Sequence, residues 1–165
     1  MKLFDHPSRI DRSRYDRMAP AVTAALSALG KAVDDSRLDK SLTKLMKLRA
    51  SQINGCAFCV QYHLNVARKL GVSSAKLDLV AAWRDAGVFS AREQAALAWT
   101  EALTLMAGNS VSDAVYVELQ GQFSESEIAF LTAAVGTINV WNRIAGALHF
   151  APPVVSEPIV PGDEQ

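Results

Sequence analysis

Residues 49–71 read RASQINGCAFCVQYHLNVARKLG, and both cysteines of the 165-residue chain lie inside this run. Asn54-Gly55 is a turn signal. From Ala57 to Leu70 there is no further Gly or Pro, and Arg68-Lys69 precede Gly71, the pattern of a helix C-terminus. A helix opening at this point sets Cys56 and Cys59 three apart and His63 four beyond Cys59, so that all three share one face. The break before Cys56 places the pair in the first turn, where unsatisfied N–H groups and the positive dipole end favour a thiolate. In Cys-x-x-Cys settings the thiol pKa falls from about 8.5 to roughly 3.5–7.5. The run therefore supplies a candidate nucleophile, a second thiol within disulfide reach, and a candidate base.

Three other readings stay open on these residues alone. Both cysteines can be small buried hydrophobes. The trio can belong to a structural zinc site, although His6 and His149 lie far off in sequence without matching spacing. His63 can be a satisfied histidine with no part in chemistry. A thioredoxin motif is set aside, because that Cys-x-x-Cys follows a strand in a βαβ pattern and the flanks here are helical.

Working outward, the breakers divide the chain into helices, and the expected class is all-α. Residues 15–33 read as one Ala- and Leu-rich helix with Pro20 in its first turn, and residues 39–53 as a second. The helix of residues 57–70 follows, then a shorter one from Ser73-Ser74 to Trp83. Ser90 with Glu93, and Ser124 with Glu127, are capping boxes, and Ser112 caps a helix between them. The last helix ends near His149, before Pro152-Pro153. Trp83, Trp99 and Trp141 are read as packing residues. Arg143, beside Asn142 in an apolar helix, is read as a buried arginine with an inter-helix or inter-subunit salt bridge. Phe58 and Tyr62 flank the cysteine row, either as the apolar path of an alkyl peroxide or as simple packing.

Seventeen Lys plus Arg balance seventeen Asp plus Glu, so the totals favour neither nucleic acid nor an anionic membrane surface. Between residues 128 and 155 Arg143 is the only charge, yet Asn139, Asn142 and Arg143 near the middle argue against a membrane span and for a core or subunit interface. The opening MKLFDHPSRIDRSRYDR has no apolar signal region, and a cytoplasmic, reducing compartment is expected. One domain over residues 1–165 is expected, with a Pro-interrupted tail at 154–165, either loose or laid across a neighbouring subunit.

The run SQINGCAFCVQYHLNVARKLG resembles the core motif of the alkyl hydroperoxide reductase D-like (AhpD-like) group of the carboxymuconolactone decarboxylase superfamily. REQAALAWTEALT at residues 92–104 and NVWNRI at 139–144 are also similar to that group, so the resemblance covers roughly residues 35–153. It implies an all-helical antioxidant fold assembling as a homo-oligomer, trimer or hexamer, without metal or other cofactor. It further implies a peroxide substrate and an external dithiol reductant. Carried over by position, Cys59 is the peroxide-attacking thiolate, Cys56 the resolving thiol and His63 a proton relay. The group's relay glutamate, one helix earlier, falls on Lys44 here, which leaves Glu101 as the leading candidate for a substitute carboxylate. Decarboxylases of the superfamily generally lack paired cysteines, so lactone decarboxylation is not implied. The rival from another class is a non-catalytic helical oligomer with a redox-responsive cysteine pair.

Overall fold

The structure, a computed structural model, describes residues 7–154. Its helices in chain order are α1 (Arg12–Met18), α2 (Pro20–Asp34), α3 (Lys40–Ile53), α4 (Ala57–Lys69), α5 (Ser74–Leu79) with a 3-10 turn at Val80–Ala82, α6 (Ala91–Thr104), α7 (Asp113–Gln120) and α8 (Glu125–Leu148). Among the described residues there is no strand, so the fold is all-α as expected.

Most boundaries follow local chemistry. Asp39, Ser73, Ser90, Ser112 and Ser124 each accept a backbone N–H as N-cap, and both capping boxes form. One boundary differs from expectation. The stretch expected as a single helix over residues 15–33 is two helices, because Pro20 cannot donate the N–H that would continue α1 and opens α2 at its first position instead. Ala19, the residue before it, sits at φ −130°, ψ 53°, outside the helical region.

Helix α3 is the centre of the molecule, packing on α4, α6 and α8. On one flank Leu42 and Met46 meet Leu119, Leu131 and Val135. On another, Leu45 and Leu48 meet Val80, Trp83 and Leu97. At its C-terminal end Ala50 packs with both cysteines, Ile138 and Phe150. Apolar burial on several sides fixes the axis of α3, and the turn leaving it therefore starts from a rigid base. No helix among the described residues is long and apolar enough to cross a membrane.

Candidate active site

The site begins with a backbone device. Helix α3 ends on Asn54, and Gly55 takes the left-handed conformation at φ 64°. Gly55 N–H donates to the Gln52 carbonyl and Cys56 N–H to the Ser51 carbonyl, both at 3.1 Å, the paired bonds of a Schellman motif. Cys56 closes that motif and is at once the N-cap of α4, its sulfur accepting the Cys59 N–H at 3.3 Å. The end of one helix and the start of the next thus share a residue, which holds the cysteines at the junction of two rigid rods. The junction is also tied to α8. Asn54 Nδ2 donates to Asn142 Oδ1 at 2.9 Å and Asn139 Oδ1 at 3.0 Å, and Asn142 Nδ2 donates to Ser51 Oγ at 3.0 Å.

Both cysteines are free, with their sulfurs 2.6 Å apart. A hydrogen bond joins the two thiols. Hydrogen bonding from the Cys59 thiol holds Cys56 down at about 7 against the opposing effect of burial, with help from the Cys59 N–H and Asn142. Cys59 is pushed up, because its proton is the one donated to Cys56 and because it too is buried. The resting charge therefore lies on Cys56, while access lies with Cys59. Cys56 is 1% exposed and faces the core; Cys59, 3% exposed, forms part of the wall of a cavity of about 640 Å³.

Helices α1, α2, α3, α4 and α8 enclose this cavity. His63, one turn beyond Cys59, lines it and is 7% exposed, with Nδ1 buried and without a hydrogen-bond partner. Burial, reinforced by Lys47 and Lys44, depresses its pKa to about 3, so its imidazole is neutral at physiological pH. Lys47 also lines the cavity and is 7% exposed; burial lowers its pKa to about 8. Phe58 stacks on Tyr62 and meets Phe150 edge-on, while Tyr62 stands edge-on to His63. Arg12 lies 4.6 Å from the centre of the Trp141 ring.

The structure brings Cys56, Cys59 and His63 together and sets Glu101 apart from them. Glu101, on α6, accepts from Arg49 Nε at 2.7 Å, Trp83 Nε1 at 3.0 Å and an Arg84 guanidinium nitrogen at 2.5 Å. Burial works to raise its pKa, but these three donors together hold it below the usual carboxylate value. Glu101 does not line the cavity. The reason is topological: α6 lies against the flank of α3 that bears Arg49 and the residue 80–84 turn, whereas the cavity opens on the flank of Lys44 and Lys47.

Two residues beside the pair escaped sequence reading. Lys47 falls within an amphipathic helix where a lysine signals solvent, and only the packing of α2 and α4 buries it. Asn142 was read with Arg143 as part of a salt-bridge pattern, yet it pins the Cys56 turn, and Arg143 is exposed and donates to Asn139 on its own helix. The carbonyl and amide of an asparagine inside an apolar helix were the available signal. Trp83 and Trp99 are buried packing residues as expected, whereas Trp141 is half-buried and lines the cavity. Among the described residues no group of three or more His, Cys, Asp or Glu is placed to hold a metal ion.

Comparison with known proteins agrees with the helical fold. The model of the carboxymuconolactone decarboxylase family matches residues 20–102, a span that contains the cysteine pair and His63. The uncharacterised protein YdfG of Bacillus subtilis is 32% identical over 83% of this chain and 93% of its own length. A crystal structure of a protein of unknown function from Agrobacterium tumefaciens, proposed there to be an antioxidant defence protein AhpD, is 38% identical, covers 90% of this chain and 100% of that one, and superposes with a TM-score of 0.85. A debrominase shares the fold at 20% identity and a TM-score of 0.74, over 82% of this chain and 73% of its own. With its helical architecture and its Cys-x-x-Cys junction, the chain belongs to the carboxymuconolactone decarboxylase family as an AhpD-like member.

Proposed function

We propose that the protein is a thiol-dependent peroxidase and disulfide oxidoreductase that cycles Cys56 and Cys59 between dithiol and disulfide. One observation carries this reading: two free thiols 2.6 Å apart at the start of a helix, of which the outer, Cys59, lines a cavity together with His63.

The steps follow from which sulfur lines the cavity. The Cys59 proton passes to Cys56, and the Cys59 thiolate attacks the nearer peroxide oxygen. The O–O bond breaks, Cys59 becomes a sulfenic acid, and the leaving alkoxide takes a proton to depart as the alcohol. The inner Cys56 loses its proton, forms the S–S bond and releases the sulfenic oxygen as water. Two electrons have then left the thiols, and an external dithiol donor returns them through the same cavity.

His63, neutral and one helical turn from Cys59, is the proton relay in this scheme. Lys44 holds the position of the relay glutamate and Glu101 is occupied by Arg49, Arg84 and Trp83, while the two carboxylates that line the cavity with His63, Asp34 and Asp16, are paired with Lys44 and Arg12. The homo-oligomer expected of the group, trimer or hexamer, belongs to the same reading and is checked by sedimentation. The testing experiment titrates the reduced protein with several peroxides and dithiol donors while following the Cys56–Cys59 disulfide by mass. Catalytic turnover with disulfide formation supports the reading; thiols that stay reduced in excess peroxide reject it and leave a helical oligomer whose cysteines are structural.

A further inference from the structure

The cavity in front of Cys59 has an unbalanced charge. Arg12 is paired with Asp16 at 2.8 Å, Lys31 with Asp35, and Lys44 with Asp34 at 3.5 Å. Lys47 makes no ion pair among the described residues, although it is the most buried of the four cations. A buried ammonium without an opposite charge costs several kcal/mol, a cost that a fold keeps only where something offsets it. A second unsatisfied group faces the same space: His63 is 7% exposed with no partner for Nδ1. The thiolate does not discharge this need, because its charge is held by the Cys59 thiol, the Cys59 N–H and Asn142.

Much of the remaining lining is of another character. Leu26, Phe58, Tyr62, Ile138 and Trp141 present apolar and aromatic surface, and about 640 Å³ is room for a medium-sized organic molecule. Hydrogen peroxide would leave most of that volume unused and Lys47 without a counter-charge. Lys47 feels the charge of Asp34, but Asp34 is paired with Lys44; an anionic group is what would pair Lys47, and the aromatic lining calls for a carbon body attached to it.

We propose that this cavity selects organic hydroperoxides bearing a carboxylate, with the carboxylate seated on Lys47, the carbon body against Phe58 and Trp141, and the peroxide end at Cys59 beside His63. The substrate class rests on the peroxidase reading above, whereas the carboxylate seat does not depend on turnover.

A matched pair of substrates isolates the carboxylate: a fatty-acid hydroperoxide and its methyl ester, compared by kcat/KM with a dithiol donor. The acid is expected to be preferred about tenfold, as one charge-assisted contact supplies, with the difference expressed in KM. Lys47→Met should remove the preference and Lys47→Arg should restore much of it; where Lys47→Met does not fold, Lys44→Gln with Lys47→Arg reports on the same seat. Equal kcat/KM for acid and ester in the wild-type protein overturns the proposal. In parallel, dodecanoate is titrated calorimetrically into the reduced Cys59→Ser protein, which needs no peroxide chemistry. Saturable binding that Lys47→Met abolishes supports the seat even if no peroxide turns over, an outcome that would reject only the peroxidase reading. Absence of dodecanoate binding, or binding indifferent to Lys47→Met, overturns the seat.

Discussion

Two buried polar clusters flank α3, and they are built in opposite ways. Around Glu101, one carboxylate receives three donors from Arg49, Arg84 and Trp83, and its hydrogen-bonding capacity is largely used. Around His63, among the described residues, a ring nitrogen has no partner, an ammonium makes no ion pair, and two thiols are hydrogen-bonded to each other. The first arrangement is what a fold needs to join α3, α6 and the residue 80–84 turn. The second costs stability in the free protein, and chemistry or ligand binding is what it serves.

Substitutions on each side should separate these roles. The largest effect is expected for Cys59→Ser, which should reduce peroxide turnover to the uncatalysed background while leaving thermal stability near that of the parent; retained turnover would move the nucleophile elsewhere. Glu101→Ala is the counterpart. Leaving the half-buried Arg49 without its carboxylate should cost about 2 kcal/mol in urea unfolding, with the peroxide rate of the remaining folded protein little changed. A loss of rate without a loss of stability would make Glu101 part of the relay after all.

Lys47→Met should act in the opposite direction and raise stability by about 2 kcal/mol, because an unpaired buried ammonium is replaced by a side chain of similar length that packs. The sign with pH follows from a pKa lowered to about 8 from 10.5. The folded state resists the proton that the unfolded chain holds, so the penalty is complete below about 8 and fades as pH rises toward 10.5. The advantage of Lys47→Met, measured by denaturant titration, should shrink over that interval.

At neutral pH the smallest effect is expected for His63, faced by Lys44 and Lys47 from α3, with Cys59 and Tyr62 on its own helix. Its folded pKa of about 3 lies below the 6.5 of an ordinary histidine, so the unfolded state takes up a proton first. Stability from this source is intact above 6.5 and falls by up to about 1.4 kcal/mol per pH unit as pH drops toward 3. His63→Gln should flatten that acid limb; an unchanged limb would mean that the imidazole is protonated in the folded state.

The sequence made the helices and the cysteine register legible because both are local. Ser90 and Ser124 announce their helices three residues before the answering glutamates, and Asn54-Gly55-Cys56 encodes a helix stop and a helix start in consecutive residues. Pro20 carried the right information about a boundary, but it was read as lying inside the first turn of a helix already begun rather than as opening a second one. The charged walls of the cavity were not legible. Whether Lys47 meets water or Glu101 meets His63 depends on which helices cover which flank of α3, and helical periodicity does not specify partners between helices. Asn142 lies 86 residues beyond Cys56 in sequence, and only the packing of α8 across the α3–α4 junction brings them together.

The central claim is that Cys59 is the sulfur that meets the peroxide and Cys56 the one that resolves it. Cys56→Ser, reduced and then given one equivalent of hydroperoxide in the presence of a sulfenic-acid trap, tests this directly by peptide mapping. The account predicts a trapped adduct on Cys59. A Cys59 that remains an unmodified thiol while the peroxide persists would contradict it.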